Sequence, residues 1–464
     1  MQSARDILAD LWTLAGGAPS ALDAVTLTGT EPVLPSSFRV AASAQASIAA
    51  TGLAAAEIWK QRSGEGQAVS VDMVHAVVEC RSERYLRLDG EPPPPTWDPT
   101  AGVYRTGGGR YVRLHTNFRH HRDAVCKVLG CEPEREKIQA ALMGWDGEAF
   151  ETAAYTGGAV VSLMRSHDEF SATPHGQVLA GLPVLSIEKI GEARPRPWSA
   201  GERPLSGVRV LDLSRVIAAP VAGRTLAAHG ADVLLVYGPQ LPAIPWLTID
   251  TGRGKRSTFI ELKSDEGRAQ MRELLAQADI VSQGYRPQSL ARLGFAPEDA
   301  AKLSPGIVYV TLSAYGHAGP WAERRGFDSL VQTSTGFNHA EGVAAGIEGP
   351  KELPAQMLDH ATGYLMAYGA MMALARQRRE GGSWHVRVSL AQTGRWLWSL
   401  GRVADGFTQP DIKSEGAEPF MEDVPSGFGA LHAVRHSAIL SKTPAHWARP
   451  AVPLGTDKAE WPAR

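Results

Sequence analysis

Residues 353–390 read LPAQMLDHATGYLMAYGAMMALARQRREGGSWHVRVSL. The helical repeat of apolar and small side chains after Asp359 predicts a helix with a basic C-terminal end. The glycine pair Gly381-Gly382 predicts the end of this helix, and the alternation over residues 385–390 predicts a strand. Asp359 stands where a carboxylate caps the exposed N–H groups of a helix. The spacing alone leaves open whether Asp359 is only such a cap or also has a chemical role.

The same plan occurs earlier, in residues 40–73, VAASAQASIAATGLAAAEIWKQRSGEGQAVSVDM. An alignment without gaps at an offset of 317 residues pairs Gly52 with Gly369 and keeps the order of helix, turn and strand. The sequence therefore predicts an internal duplication, with too few copies for a solenoid. Ala42 lies opposite Asp359, so the first copy lacks the carboxylate.

The composition is typical of a globular protein with room for two or three domains. The chain has 464 residues, of which 47 are Lys or Arg and 49 are Asp or Glu, and its formal net charge is −2. This balance gives no indication of a nucleic-acid partner or of an acidic membrane surface. Three cysteines without metal-ligand spacing, and no long apolar run, predict a cytoplasmic protein with no metal site.

Between the two copies, residues 102–116 predict a β-hairpin whose turn is the glycine run 107–109, rather than a phosphate-binding loop. Residues 117–122, NFRHHR, form a basic and aromatic patch suited to contact an anionic ligand. From Leu205 onward, predicted strands alternate with helices, which favours a mostly parallel sheet with ligands at its C-terminal edge. The first of these strands is not followed by GxGxxG, so a dinucleotide fingerprint is absent. We expect the last ~50 residues to be loop-rich, because proline and glycine are frequent there.

Six segments occur in the order found in the class III CoA-transferases of the formyl-CoA and carnitine type. They begin with PLSGVRVLDLSRVIAAP (204–220), continue through residues 229–236, 253–268, 278–295 and 305–336, and end with MLDHATGYLMAYGAMMALARQRREGG (357–382). The chain thus resembles this family. The resemblance implies an α/β fold, with a Rossmann-like parallel sheet and a smaller α+β domain.

The order of the parts departs from the family, in which a small domain follows the catalytic half. Here the segment similar to the small domain, which contains the hairpin, precedes that half. We therefore predict two fused and incomplete units. Residues 1–200 are a degenerate unit with the hairpin and its helices, and residues 201–464 are the catalytic unit with the Rossmann-like sheet. The family also implies a homodimer.

The resemblance implies transfer of coenzyme A from an acyl-CoA to a small carboxylic acid, with no permanently bound cofactor. The nucleophile would be Asp359, in a D-x-x-x-G motif completed by Gly363, acting through an aspartyl anhydride and an aspartyl-CoA thioester. The positions matching the family's CoA-binding residues are Arg215, Val216, Ile217, Ala218, Ile260, Lys263, Tyr285, Arg292 and Leu293. Tyr237-Gly238 replaces an acid–base pair of the family, which removes one phosphate-binding arginine.

Two other functions remain open from the sequence. Racemases of the same fold act on 2-methylacyl-CoA and use a histidine before an aspartate, but Phe327 precedes Asp328 here. Phenylalanine cannot carry a proton, so this reaction would need His317 or His360 instead. The other alternative is a CoA-binding protein without catalytic activity.

Overall fold

The computed structural model describes residues 2–95 and 97–463. Its α-helices are, in chain order, α1 (Ala4–Leu14), α2 (Val40–Ser63), α3 (Met73–Glu79), α4 (Ser82–Tyr85), α5 (Arg119–Leu129), α6 (Arg135–Leu142), α7 (Gly147–Thr156), α8 (His167–Ala172), α9 (Pro174–Ala180), α10 (Ala218–Ala228), α11 (Pro245–Gly252), α12 (Asp265–Ala276), α13 (Pro297–Leu303), α14 (Asp328–Ser334), α15 (Phe337–Ala344), α16 (Met357–Glu380), α17 (Leu390–Ser399) and α18 (Ser414–Ala417).

The strands are β1 (Val25–Thr28), β2 (Val69–Asp72), β3 (Arg87–Leu88), β4 (Gly102–Arg105), β5 (Tyr111–Leu114), β6 (Val161–Leu163), β7 (Leu185–Gly191), β8 (Arg209–Leu213), β9 (Asp232–Tyr237), β10 (Lys255–Phe259), β11 (Ile280–Gln283), β12 (Val308–Ser313), β13 (Ser383–Ser389), β14 (Met421–Ser426), β15 (Gly429–Val434) and β16 (Ala438–Leu440). Short 3-10 turns occur at Pro19–Ala24, Ala291–Leu293, Gly406–Thr408 and Glu418–Phe420.

The largest sheet has the order β10-β9-β8-β11-β12-β13-β7, and β7 is its antiparallel member. The other strands are parallel, as the alternation of strands and helices predicts, and the predicted Rossmann-like α/β class is confirmed. The strand order reverses at β8, between β9 and β11. In such sheets this switch point opens a crevice at the carboxyl ends of the strands, where ligands bind.

A smaller α+β part contains the predicted hairpin. Strands β4, β5 and β6 form an antiparallel sheet, on which helices α5, α6 and α7 pack. Its core is a hydrophobic cluster of its own, with Val112, Phe150 and Leu163 fully buried. The smaller domain that the family resemblance implied is therefore present, before the large sheet in the chain.

The two halves of the chain exchange edge strands. Strand β2 pairs in parallel with β1 and antiparallel with β16, which comes from the second half. Strand β13 pairs in parallel with β12 and antiparallel with β7, which comes from the first half. Each half therefore supplies the antiparallel edge of a sheet belonging to the other, across the predicted boundary at residue 200.

Helices α2 and α16 pack against each other and agree closely in length and position. Each has 24 residues, and their first residues, Val40 and Met357, are equivalent at the offset of 317. The strands that follow, β2 and β13, overlap at the same offset, and α3 and α17 begin at equivalent positions. These correspondences support the internal duplication, which remains a prediction.

The paired glycines have the same packing role in both copies. A Cβ atom on Gly52 would lie 2.9 Å from Cγ1 of Val69, and one on Gly369 would lie 2.6 Å from Cγ1 of Val386. The exchanged strands approach the same two glycines, through Ala438 of β16 and a leucine of β7. Glycine is needed because a side chain would separate the helix from the strand.

Several local predictions needed correction. Helix α16 begins at Met357 with Gln356 as its N-cap, so Asp359 lies inside the first turn and is not the cap. The alternation of strands and helices after Leu205 also predicts a short helix over residues 289–293, where the structure has a 3-10 turn at Ala291–Leu293. The last ~50 residues contain β14, β15 and β16, because their strands pair with distant partners that local composition does not reveal. Among the described residues, no helix is both long and apolar enough to cross a membrane.

Candidate functional site

A cavity of about 520 Å³ opens at the carboxyl ends of β8 and β11, at the switch point of the large sheet. Its walls come from the loops after β8, β10, β11 and β12 and from the first turns of α10 and α16. This volume lies within the usual range for a small-molecule or cofactor site. The sheet topology thus places a ligand-sized cavity where parallel α/β folds bind their ligands.

All ten predicted site residues line this one cavity. They are Asp359, the loop after β8 (Arg215, Val216, Ile217 and Ala218), Ile260 and Lys263 after β10, and Tyr285, Arg292 and Leu293 after β11. Three separate loops and one helix bring them together across more than 140 positions of sequence. The roles assigned to them remain predictions.

Val216 adopts a backbone conformation that β-branched residues avoid. Its φ angle is +73°, in the left-handed region, and its side chain lines the cavity. Such a conformation costs about 1–3 kcal/mol and persists when the surrounding structure imposes it. Strain of this kind is concentrated at ligand sites, which supports a binding role for the loop after β8.

Asp359 is held in the first turn of α16 by a second carboxylate. Its backbone N–H donates a 2.9 Å hydrogen bond to Oδ2 of Asp328, the first residue of α14. The amide of Gln332 donates to the other oxygen, Oδ1 of Asp328. The first copy has the same arrangement, since the N–H of Ala42 donates a 2.9 Å hydrogen bond to Oε1 of Glu31.

The two aspartates form a buried acidic pair. Burial raises the pKa of Asp359 well above its usual range, and the negative charges of Asp328 and Glu83 raise it further. Burial also raises the pKa of Asp328 to about 6, although the hydrogen bonds it accepts oppose this shift. A carboxylate with a raised pKa is more basic, and it is the stronger nucleophile once it is ionised.

Gly363 brings α10 and α16 together beside Asp359. A Cβ atom at Gly363 would lie 2.5 Å from the carbonyl oxygen of Ala218 and 2.8 Å from Cβ of Val221. The glycine of the D-x-x-x-G motif therefore allows the first turn of α10 to approach the nucleophile. No side chain of the described residues caps α10, whose N-cap Ile217 and first residue Ala218 line the cavity.

The first half of the chain supplies another wall of the cavity. Phe118, His120 and His121, from the basic and aromatic patch at residues 117–122, line it together with Phe327. The ring of Phe118 lies beneath the guanidinium of Arg215, 4.9 Å from its carbon. Burial, together with neighbouring histidines and arginines, lowers the pKa of His121 to about 2, so this imidazole is neutral. The predicted contact surface of the patch is thus part of the cavity.

The cavity is rich in cations. Besides Arg215, Lys263 and Arg292, its lining includes Arg286, Arg324 and Arg325, which the sequence analysis did not select. Tyr237, the first residue of the Tyr237-Gly238 pair that stands in place of the family's acid–base pair, accepts a 3.1 Å hydrogen bond from Nε of Arg215. Guanidinium and ammonium groups of this kind bind phosphate oxygens.

A comparison with models of protein families identifies the chain. The model of CoA-transferase family III matches residues 205–460, more than half of the sequence. The chain belongs to this family.

Curated relatives in this family are named as CoA-transferases. Acetyl-coenzyme A transferase nodX of Hypoxylon pulicicidum is 29% identical over 338 residues, which cover 67% of this chain and 56% of that protein. A probable fatty acyl-CoA transferase of Mycobacterium tuberculosis is 31% identical, over 46% of this chain and 59% of its own length. The mouse succinyl-CoA:glutarate CoA-transferase is 34% identical, over 40% and 44% of the two chains. The chain thus spans less than two thirds of the length of each of these relatives.

Solved structures of family III proteins also match part of the chain. A crystal structure of a hypothetical protein from Mycobacterium tuberculosis is 31% identical, with a TM-score of 0.40, and covers 43% of this chain and 59% of that one. A protein of the CAIB/BAIF family from Brucella suis is 24% identical, with a TM-score of 0.37, and covers 50% and 65% of the two chains.

Within family III, the position that distinguishes the racemase pattern is occupied by Phe327. Its ring stacks on His115 with centroids 3.6 Å apart, and it carries no proton to exchange. Neither of the substitutes considered from the sequence, His317 and His360, is among the described residues that line the cavity. The geometry therefore gives no support to a two-base racemase mechanism.

The family III site also includes residues that the sequence did not reveal. Glu83, on α4 in the first half, accepts a 3.1 Å hydrogen bond from Nε2 of His360, the neighbour of Asp359. Glu83 and His360 are 277 positions apart, and no local pattern marks Glu83. By contrast, Arg286 follows Tyr285 directly, and Arg324 and Arg325 precede the segment Gly326-Phe327-Asp328, so their proximity to recognised motifs was a usable signal.

Proposed function

We propose that this protein transfers coenzyme A from an acyl-CoA thioester to a free carboxylic acid, with Asp359 as the nucleophile. The observation that carries the proposal is the single cavity that contains both Asp359 and every residue matched to CoA binding. Membership of CoA-transferase family III supports CoA transfer as the general reaction. The aspartyl mechanism rests on the position and environment of Asp359.

The reaction begins when a carboxylate oxygen of Asp359 attacks the thioester carbon. The carbon–sulfur bond breaks, the CoA thiolate leaves, and a mixed anhydride forms between Asp359 and the acyl group. The thiolate then attacks the carbonyl carbon of Asp359 in the anhydride, which releases the donor acid and leaves an aspartyl-CoA thioester. Both intermediates keep the energy of the original thioester in a covalent bond to the protein.

The second half of the reaction reverses these steps with another acid. The carboxylate of the acceptor attacks the aspartyl thioester, so that a new mixed anhydride forms and the CoA thiolate leaves again. The thiolate then attacks the acyl carbon of the acceptor, which yields the new acyl-CoA and frees Asp359. No proton, electron or additional reactant is consumed over the cycle.

The burial of Asp359 suits this chemistry because water would hydrolyse both intermediates. Only 8% of Asp359 is exposed, although it lines the cavity. Phe118, His121 and Phe327 line the cavity with two aromatic rings and one neutral imidazole. Exclusion of water also strengthens the interaction of helix N-termini with the oxyanions that form at each step.

The substrates are proposed at the level of chemical class. The names of the relatives include acetyl-CoA, fatty acyl-CoA and succinyl-CoA transferases, so the family accepts different acyl groups. For this chain we propose an acyl-CoA donor and a small carboxylic acid acceptor, with coenzyme A as a substrate rather than a permanently bound cofactor. The cytoplasmic location and the homodimer remain predictions.

Covalent trapping tests the mechanism directly. The protein is incubated with a panel of acyl-CoAs, treated with hydroxylamine, digested, and mapped by mass spectrometry. A hydroxamate on Asp359, together with exchange of isotope-labelled acids into acyl-CoA, is the expected result. Asp359→Asn should abolish both signals yet still bind CoA, whereas Asp423→Asn, a change at an exposed carboxylate, should retain both.

Two results would contradict the proposal and indicate the alternatives. Loss of α-deuterium from a 2-methylacyl-CoA without acid exchange would indicate a racemase. A rise in melting temperature with CoA, with neither exchange nor modification of Asp359 for any donor in the panel, would indicate a CoA-binding protein without transferase activity.

A further inference from the structure

The start of the short helix α4 is fixed to the second half of the chain at three consecutive residues, its N-cap Arg81 and its first two residues, Ser82 and Glu83. The guanidinium of Arg81 binds the carboxylate of Asp411, with contacts of 2.6 and 3.1 Å. The hydroxyl of Ser82 donates to Oδ2 of Asp250 at 2.7 Å and accepts from Nη1 of Arg224 at 3.0 Å. Glu83 then binds His360, so each of the residues 81–83 contacts the second half of the chain.

The contact between Glu83 and His360 is buried directly behind the nucleophile. The side chain of His360 is 1% exposed and that of Glu83 is 11% exposed. Nδ1 of His360 is buried without a hydrogen-bond partner among the described residues, so Glu83 supplies the recorded polar contact of this imidazole. Arg84 also lies 3.7 Å from the other carboxylate oxygen of Glu83. A buried pair of this kind is costly to separate, because His360 without Glu83 would be desolvated without compensation.

Glu83 is close enough to act on Asp359 but is not part of the cavity lining. Burial opposes its ionisation, but the charge of His360 and its hydrogen bond lower the pKa of Glu83 to about 2. Its fixed negative charge is one of the groups that raise the pKa of Asp359. Glu83 can therefore affect the reaction through its hydrogen bond to His360 or through this charge, and not through contact with the substrate.

We propose that Glu83 is a positioning residue, which through His360 fixes the first turn of α16 and the direction of the Asp359 carboxylate. The inference rests on the proposed function of Asp359 and extends it. The degenerate first half then contributes a residue to the working geometry of the nucleophile in the second half. A shift of about 1 Å at a reacting group can reduce a rate by about 100-fold, so this support has a measurable effect.

The test compares Glu83→Gln with a matched control in the full chain. Asp411→Asn is the same change from carboxylate to amide, and it removes the charge from the neighbouring anchor at Arg81 without altering a group that contacts His360. Glu83→Gln replaces the charge-assisted hydrogen bond from His360 with a weaker neutral one, so we expect it to lower kcat for acid exchange by about 10- to 100-fold. Its dissociation constant for CoA should stay unchanged, and Asp411→Asn should keep both values of the wild type.

A double-mutant cycle identifies the route of the effect. If Glu83 acts through His360, the variant with both Glu83→Gln and His360→Gln should have the same kcat as His360→Gln alone. Should Glu83→Gln fail to fold, His360→Gln carries the same test, with an equal fall in kcat and unchanged CoA binding as the expected result.

The possible contrary results separate a failure of the positioning role of Glu83 from a failure of the proposed function. Wild-type kcat in Glu83→Gln, an equal loss in Asp411→Asn, or additive effects in the double variant would each overturn the positioning role. If the wild type shows no acid exchange, or if Asp359→Asn retains it, the proposed function fails first. The measurements on Asp359→Asn and Glu83→Gln therefore separate a failure of the mechanism from a failure of this inference.

Discussion

Oδ2 of Asp328 lies 2.9 Å from the backbone nitrogen of Asp359, so one carboxylate fixes the main chain that carries the other. The contact ties the start of α14 to the first turn of α16. It also places a second acidic group beside the proposed nucleophile and raises the pKa of Asp359. Asp328 thus affects both the geometry and the ionisation of the site.

At low pH the rate of acid exchange should rise with pH, and the position of this acid limb of the pH–rate profile should depend on Asp328. Asp359 must lose its proton before it attacks, so the exchange rate should rise with pH, with an apparent pKa above the ordinary value of about 4 for aspartate. In Asp328→Asn, the amide oxygen can still accept the hydrogen bond from Asp359, but the negative charge is gone. The limb should therefore shift to lower pH, measured from initial rates of labelled-acid exchange.

An unchanged pH profile in Asp328→Asn would contradict this account of the site. The matched control is Asp457→Asn, which also removes a carboxylate that accepts a backbone N–H, in this case from Ser257, and neither residue lines the cavity. That variant should leave the acid limb in place.

Asp359→Asn should make the folded protein more stable near neutral pH. A carboxyl group whose pKa is higher in the folded than in the unfolded state reduces the free energy of unfolding as pH rises from the unfolded to the folded pKa. At higher pH the full reduction persists. We expect the variant to gain at least about 1 kcal/mol at pH 7.5, since one pKa unit corresponds to about 1.4 kcal/mol.

The same variant provides its own control in acid. Near pH 3 the aspartate is mostly protonated in both states, so wild type and Asp359→Asn should have similar stabilities there. Chemical denaturation at the two pH values measures the difference, and a gain of equal size at both would show that ionisation is not its cause.

The strained conformation of Val216 predicts an inverted order of stability. At ordinary φ values inside a helix or strand, a protein with glycine at a given position is less stable than the same protein with alanine there by about 0.5–1 kcal/mol. At the φ of +73° the alanine side chain is strained, so Val216→Gly should melt at a higher temperature than Val216→Ala. The same two substitutions at Val233, on β9, should show the ordinary order, and the melting temperatures of the four variants test this.

Gly363→Ala should separate α10 from α16. The added methyl group would lie 2.5 Å from the backbone oxygen of Ala218, which cannot move without the helix. Overpacking of this kind costs about 1–3 kcal/mol of stability, and we expect a fall in exchange activity as well. Gly66→Ala is the control, because nothing lies within 4 Å of the added Cβ atom there. Equal effects at both positions would refute the close-approach role of Gly363.

If the ammonium group of Lys263 contacts a phosphate, Lys263→Met should weaken CoA binding by about 10- to 100-fold. A loss of this size corresponds to the usual free energy of a hydrogen bond to a charged group. The loss should disappear for an acyl-pantetheine substrate, which lacks the nucleotide phosphates. Lys302→Met is the control, since Lys302 is an exposed lysine outside the cavity lining. Equal losses for CoA and pantetheine substrates would exclude the phosphate contact.

The sequence was most informative where one segment contains the complete signal. Helix α12 is one of the helices in the alternation predicted from Leu205 onward, and its N-cap serine, acidic first turn and apolar face all lie within one local segment. Asp359 and the loop after β8 were found because their segments match a family pattern in order. The parallel sheet followed from the alternation of strands and helices, which needs no knowledge of tertiary contacts.

The parts that the sequence did not predict depend on distant contacts. Strand β16 has only three residues, and it is a strand because β2 pairs with it across a distance of 367 positions, counted from Val71 to Ala438. Glu83 belongs to the site because the fold brings α4 into contact with His360 of α16. A single sequence contains no periodicity or motif that records such pairings.

The exchange of β7 and β16 has a consequence for the time at which the protein can finish folding. During synthesis, residues 69–72 leave the ribosome long before residues 438–440, so one edge of β2 has no native partner for most of translation. An unpaired strand edge is a template for aggregation. The edge of β2 that pairs with β16 therefore stays unpaired in the nascent chain until residues 438–440 have been synthesised.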